Sequence, residues 1–277
     1  MNMIEKQCII SVFAVLAAVL MPSCFRQTGD SSATADTLAE VYTDTIVINA
    51  PAGFDTTGRG GFVNLTDVVP DAILEIRYFS TYNFVGRRID GYRQPTALLT
   101  RRAADNLRAV SDDLVSQGYR LKIYDAYRPQ AAVSHFVRWS HDMNDTAMKR
   151  YFYPQTPKEV LFAQGYIAAK SGHSRGSTLD LTLFDMATEK EVDMGGTFDW
   201  FGRESHTDFG GDPDRQQYRP GDSITEQQFR NRMLLRSAMM RHGFRPYESE
   251  WWHFTLRNEP YPNTYFNFPV EKIVDNQ

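Results

Sequence analysis

Ser171-Gly-His173-Ser-Arg-Gly-Ser-Thr178-Leu-Asp180 passes from a polar turn straight into an alternating run, and that passage decides the fold. From Thr178 to Phe184, Leu179, Leu181 and Leu183 share one face while Asp180 and Thr182 share the other. Period-two alternation marks a strand, because successive side chains leave opposite sides of the pleat. The leucines are expected inside, with Asp180 left free for a site on the other face. The Ser/Gly-rich turn before the strand can hold the His173 imidazole at an unusual angle and bring it to Asp180.

Working outward, Tyr119 to Asp125 reads as a second strand, with Leu121 and Ile123 pointing one way and Lys122 and Tyr124 the other. Arg128-Pro129 lies just beyond its end. Before it, Thr100 to Gln117 reads as a helix: Thr100 caps it, Ala103, Ala104, Leu107, Val110 and Leu114 share a face, and Gly118 ends it. A second helix is expected over Gln130 to His141. A third should begin at Thr156-Pro157-Lys158-Glu159, which offers a cap, a proline at the first helical position and an early glutamate. Gly195 to Gly221 is polar, Gly-rich and aperiodic, which suggests a long ordered loop over the site or a moving flap. A helix from Thr225 to His242 carries Phe229, Met233, Ser237 and Met240 along one face and stops at Gly243. Trp251 to Leu256 reads as a last strand, with one of Trp251 and Trp252 entering the core and the other walling a pocket. Helices and strands mix without regular βαβ units, so the expected fold is α+β, a mainly antiparallel central sheet with packed helices.

The chain has 277 residues and a formal net charge of -4, and no basic tract or stripe appears. That composition argues against a nucleic-acid partner. No protein partner is expected either. Residues 1–24 read as a leader: Lys6 precedes an apolar run, Ile9 to Met21, too short to span a bilayer comfortably. The run closes on Pro22-Ser23-Cys24, which resembles a bacterial lipoprotein cleavage site with Cys24 as the lipid-bearing first mature residue. Residues 25–44, rich in Ser, Thr, Ala and Asp, read as a flexible tether, and 45–277 as a single domain. An exported, periplasmic, membrane-anchored protein is the expectation. The only cysteines are Cys8 and Cys24, so the mature domain would fold without a disulfide.

The chemistry is concentrated in two places. His173 and Asp180 lie in the first cluster, and Glu250-Trp-Trp-His253 forms the second. Two imidazoles and one carboxylate, His173, His253 and Asp180, make a three-ligand zinc set with a position left open for water. Glu250, three residues from His253, is placed to take that water's proton. Spacing alone leaves other readings open: His173 bonded to a loop, Asp180 capping a turn, His253 as a core histidine, Arg128 as an exposed arginine after a strand.

Both clusters resemble the motifs of the zinc D-alanyl-D-alanine dipeptidases, a branch of the zinc D,D-peptidase family. Tyr127-Arg128-Pro129 resembles that family's arginine motif. Asn83-Phe84-Val85-Gly86, Asp193-Met-Gly195, Phe198-Asp199 and Ser205-His206 resemble the dipeptidase branch, so the likeness spans Leu65 to Leu256. One departure is Thr178, where an alanine is usual. The resemblance implies one zinc ion per chain on His173, Asp180 and His253, with Glu250 as base. It implies that Arg128 stabilises charge on the scissile carbonyl oxygen, that Asp199 pairs with the substrate ammonium and that Ser171 contacts the carboxylate. The implied activity is zinc-dependent hydrolysis of free D-Ala-D-Ala in peptidoglycan fragment turnover. Two alternatives share the motifs. A D,D-carboxypeptidase or endopeptidase acting on stem peptides would leave the amine side open. A non-catalytic wall-binding lipoprotein would not need Glu250 and Arg128. Ser205-His206 is expected to orient Glu250 or a ligand, or else to be a plain loop contact. Tyr78 and Tyr82 can line the amine side but are expected in the core, His135 and His141 on helix surfaces, and His242 at a favourable helix C-terminus. Because Arg128 stands outside the ligand set, its removal is expected to leave folding largely intact.

Overall fold

The computed structural model describes residues 59–274. The expected leader with Cys24, the tether and residues 45–58 lie outside them. The described chain starts with β1 (Phe62–Asn64), a single-turn α1 (Leu65–Val68), β2 (Ile73–Leu74) and β3 (Leu98–Thr100). α2 (Arg101–Val115), β4 (Tyr119–Asp125), α3 (Gln130–His141) and the short α4 (Lys149–Phe152) follow. The second half contributes β5 (Thr178–Asp185), β6 (Lys190–Glu191), a small hairpin of β7 (Gly211–Asp212) and β8 (Gln217–Tyr218), and then α5 (Glu226–Arg241), β9 (Phe244–Tyr247) and β10 (Glu250–Leu256).

The main sheet runs β2-β4-β5-β10-β9, with β6 also paired to β5. Every pairing in it is antiparallel except β2 with β4. The α+β expectation holds. β1 and β3 form a separate two-stranded ribbon, too short to announce itself by alternation. The helices form for the reasons their ends suggest. Thr100 Oγ1 accepts from the Ala103 amide, and Gly118, at φ +89°, turns the chain out of α2. Thr225 and Gln228 close a reciprocal capping box at the start of α5.

Three expectations need correction. Thr156-Pro157 does not start a full helix; only a 3₁₀ turn, Lys158–Val160, forms. The Lys158 side chain is drawn inward instead, where its ammonium donates to the carbonyls of Trp139, Asp142 and Asp145 at 2.7, 2.7 and 2.8 Å. A cation there satisfies acceptors that the end of α3 leaves open. The buried face of α5 takes Leu235, Ala238 and Met239 rather than Ser237 and Met240, and it includes Arg232. Trp251 and Trp252 are both core residues. β10 lies between β5 and β9, and both indoles are buried in the core, so neither is left for a pocket wall. Trp252 meets Phe198 edge-on, and Trp251 lies under the Arg232 guanidinium.

Gly195–Gly221 contains a 3₁₀ turn at Arg203–Ser205 and the β7–β8 hairpin. Phe209 from this stretch packs with Ile224, Phe229 and Met233 in a small cluster beside the main core. Among the described residues no helix is long and apolar enough to cross a membrane.

Candidate metal centre

β5 and β10 carry the site. Their register sets Asp180 directly opposite His253. The leucines of β5 are buried as expected, but Asp180 is buried as well, at 2% exposure, on the floor of a cavity. His173 arrives from the 3₁₀ turn Gly172–Arg175, which Ser171 caps by accepting from the His173 amide at 3.3 Å. Gly176 ends the turn at φ +78°, and a Cβ there would stand 2.2 Å from the Phe62 ring, so only glycine fits. The His173 Nδ1 lies 2.7 Å from the Ala126 carbonyl. That acceptor requires a proton on Nδ1, which leaves the Nε2 lone pair facing the cavity.

Three side chains converge. His173 Nε2 lies 3.3 Å from Asp180 Oδ2 and 3.3 Å from His253 Nδ1, and His253 Nδ1 lies 3.1 Å from Asp180 Oδ1. A tetrahedral zinc with ligands at about 2.0 Å spaces them about 3.3 Å apart. Asp180 Oδ1 is buried and makes no hydrogen bond, because the His253 contact is misaligned for one. A buried carboxylate oxygen left unpaired beside two imidazole nitrogens fits a cation. The donor set suits zinc.

Glu250 joins the group through a defect in the strand. Residues three apart on a regular strand face opposite sides, but the β10–β9 register shifts between Glu250 and Phe254. The irregularity brings Glu250 Oε2 to 3.2 Å from His253 Nδ1. Burial works to lower the His253 imidazole, yet Asp180 and Glu250 overcome it and raise it to about 9 without a metal.

Arg128 is not an exposed arginine. Its Nε donates to Asp125 Oδ2 at 2.9 Å and its Nη2 to Asp180 Oδ2 at 3.3 Å, with the guanidinium over the Tyr78 ring. Asp125 is buried, accepts from the Tyr92 hydroxyl at 2.6 Å and lies 3.5 Å from His173 Nδ1. The sequence reading missed Asp125. Its signal was a carboxylate three residues before Arg128, aimed inward by a register shift in β4. These contacts argue against the expectation that folding is indifferent to Arg128, since a buried acid is paired with it.

Asp199 and Tyr78 line the same cavity. The Tyr78 hydroxyl lies 3.1 and 3.0 Å from the two Asp199 oxygens, so Tyr78 is more than core packing. Burial first, and then the charge of Asp180, raise the Asp199 carboxyl well above its usual range, with Arg128 opposing. Tyr82 is about half exposed, outside the core. The cavity measures about 280 Å³, and Ser171, Arg128, Asp199, Glu250 and the ligand trio line it. Asn83 braces its rim by accepting from the Val85 and Gly86 amides and donating to the carbonyls of Ser80 and Arg87. Ser205 donates to the Trp200 carbonyl, and the His206 carbonyl accepts from Arg232. The first contact lies within the loop and the second joins it to α5; neither is to Glu250 or to a metal-ligand candidate. Thr178 bonds Thr255 across the strands at 2.9 Å, which accounts for its departure from alanine.

A family model described as D-ala-D-ala dipeptidase, of the M15 peptidases, matches residues 59–271. The chain belongs to the D-Ala-D-Ala dipeptidase family. A D-alanyl-D-alanine dipeptidase of Enterococcus faecium is 37% identical over 211 residues, 76% of this chain and 98% of the relative. One from Streptomyces coelicolor is 36% identical over 211 residues, with the same coverage of 76% and 98%. One from Escherichia coli is 34% identical over 194 residues, 70% and 83% of the two chains. As a D-Ala-D-Ala dipeptidase family member the chain is a zinc metallopeptidase, and the trio His173, Asp180 and His253 is its candidate metal site.

Proposed function

We propose that this protein hydrolyses the free dipeptide D-alanyl-D-alanine to two molecules of D-alanine. The observation that carries the reading is the shared cavity. The ligand trio, Glu250 and a buried carboxyl, Asp199, line one cavity of about 280 Å³, a size that admits a small zwitterion. The names of the relatives support the same substrate.

His173, Asp180 and His253 would hold the zinc, which when bound polarises the scissile carbonyl and acidifies water. Glu250 takes the proton of the attacking water as its oxygen bonds to the carbonyl carbon. Glu250 then gives that proton to the departing amine as the C–N bond breaks. Arg128 is permanently cationic and meets the charge that grows on the carbonyl oxygen, held in place by Asp125. Asp199 pairs with the substrate ammonium. The Ser171 hydroxyl and nearby backbone donors receive its carboxylate. A blocked amine would offer Asp199 no ammonium to pair with, which disfavours chains extended at that end.

The test is D-alanine release by the zinc-loaded protein from D-Ala-D-Ala and from its N-acetyl derivative. Release from the free dipeptide alone is expected. No release by a folded, metal-loaded sample would sink the assignment, and strong cleavage of an N-blocked stem peptide would move it to a carboxypeptidase.

We further propose that Cys24 carries a lipid, that the domain faces the periplasm and that it serves peptidoglycan fragment turnover. The apolar run ending at Pro22-Ser23-Cys24 and the polar segment after it support this. Cys24→Ser should move the protein from the membrane to the soluble fraction. A wild-type protein found in the cytoplasm with its first residues intact would refute the export reading.

A further inference from the structure

Arg232 sits in the middle of α5 at 1% exposure, and among the described residues it forms no ion pair. Burial pulls its guanidinium down to about 10, with Asp193 opposing. A cation held this deep without a carboxylate partner is costly, and methionine or leucine would fill the same helix face. Its bonds show what it holds. Nε donates to the Met194 carbonyl at 2.6 Å and Nη1 to the His206 carbonyl at 3.3 Å. The guanidinium also lies 5.6 Å from the Trp251 ring centre, one residue from Glu250 on β10.

Met194 and His206 are the two ends of the segment that carries Asp199. Asp199 itself sits at φ +62°, a backbone region unfavourable for a residue with a side chain, so the surrounding structure must hold it there. Gly196 lets this backbone lie against the clamp: a Cβ there would stand 3.2 Å from Arg232 Nη2 and 3.8 Å from Trp251 Nε1. Arg232 thus ties together both ends of the Asp199 segment, helix α5 and the strand of Glu250.

We propose that Arg232 is a positioning residue for recognition of the substrate's free amine. By fastening Met194 and His206 to α5, it fixes where the Asp199 carboxyl meets the ammonium. The proposal rests on the assignment of Asp199 to that ammonium.

The experiment measures kcat, KM, zinc content and thermal unfolding on D-Ala-D-Ala. It compares the zinc-loaded wild type with Arg232→Lys, Arg232→Gln, Asp199→Asn and the Asp199→Asn/Arg232→Lys double variant. Lysine keeps the charge, but one ammonium on a flexible stem lacks the planar fork that reaches both carbonyls. Both Arg232 variants should raise KM about tenfold with kcat within about threefold, the pattern of lost binding rather than lost chemistry. In the Asp199→Asn background Arg232→Lys should add less than about twofold, because two residues acting through one contact are not additive. Unchanged KM in both variants, or the same fold-change in both backgrounds, overturns the proposal. So does a joint loss of kcat and zinc, which would mark a general scaffold role. A wild-type KM in Asp199→Asn alone overturns the ammonium assignment and this proposal with it.

Discussion

Arg128→Ala removes a cation that serves both the reaction and the fold. On the reaction side it deletes one preorganised donor to the carbonyl oxygen, worth about 3 kcal/mol, or roughly a hundredfold in kcat/KM. On the folding side it strips Asp125, 1% exposed, of its guanidinium. Breaking a buried pair from one side costs about 3–5 kcal/mol. The Tyr92 hydroxyl still donates to Asp125 at 2.6 Å, and the carboxyl can take a proton, so the low end applies. At about 2–4 °C per kcal/mol for a domain of this size, Tm should fall by roughly 6–12 °C. The loss should depend on pH. Burial already raises the Asp125 carboxyl above its usual range, with Arg128 opposing, and without Arg128 it rises further. A carboxyl whose folded pKa exceeds its unfolded value adds stability that is complete below about pH 4 and lost as pH rises through the folded value. The deficit of Arg128→Ala should therefore be smallest in acid and largest near neutrality. The assay is kcat/KM by D-alanine release, with zinc content and Tm at pH 5 and pH 8 on the same preparation. Arg128→Lys should recover part of each, since it lacks the fork of donors. Near wild-type kcat/KM in a zinc-replete alanine variant would remove Arg128 from the reaction. An unchanged Tm at pH 8 would refute the pairing with Asp125.

Glu250→Gln should retain zinc, because Glu250 is outside the ligand trio, and should lower kcat by about 10²–10⁴-fold; undiminished turnover would exclude it as the base. His173→Ala should remove most bound metal, and full zinc occupancy by elemental analysis would refute the ligand set. In metal-free protein, His253 titrates at about 9, above its unfolded value of about 6.5. Its contribution to stability should be complete below about pH 6.5 and lost as pH climbs through 9, and zinc uptake at pH 7 should release a proton. Denaturant melts in chelator and calorimetry in two buffers test this, and a flat stability profile with no proton release would refute it. Thr178→Val leaves Thr255 Oγ1 without its partner and should cost about 1–2 kcal/mol, with kcat/KM unchanged. A kinetic defect without a stability defect would contradict the purely structural role of that pair.

The alternation around Leu179 and Leu121 was enough to read the two central strands, the Thr100 cap and the apolar face after it were enough for α2, and the terminating Gly243 marked the end of α5. These features are local, so a sequence displays them directly. What escaped depends on contacts between distant segments. Lys158 looked like part of a helix start because its destination, the end of α3, cannot be seen from its neighbours. Asp125 and Arg232 escaped because a charged side chain inside a core becomes intelligible only with its partners known. The ligand trio was legible as a pattern. The facing of Asp180 and His253, and the strand irregularity that turns Glu250 toward them, were set by pairing register, which no short motif records.

The direct opposition of Asp180 and His253 across β5 and β10 has a consequence for how the chain reaches its final state. A strand that pairs one residue out of step turns all its side chains to the other face of the sheet. In such a misaligned chain one ligand would look into the cavity while the other sank among the leucines, and no metal could bridge them. Metal capture therefore proofreads strand alignment: only the correctly threaded sheet can keep the ion, and keeping it draws the population toward that sheet by mass action.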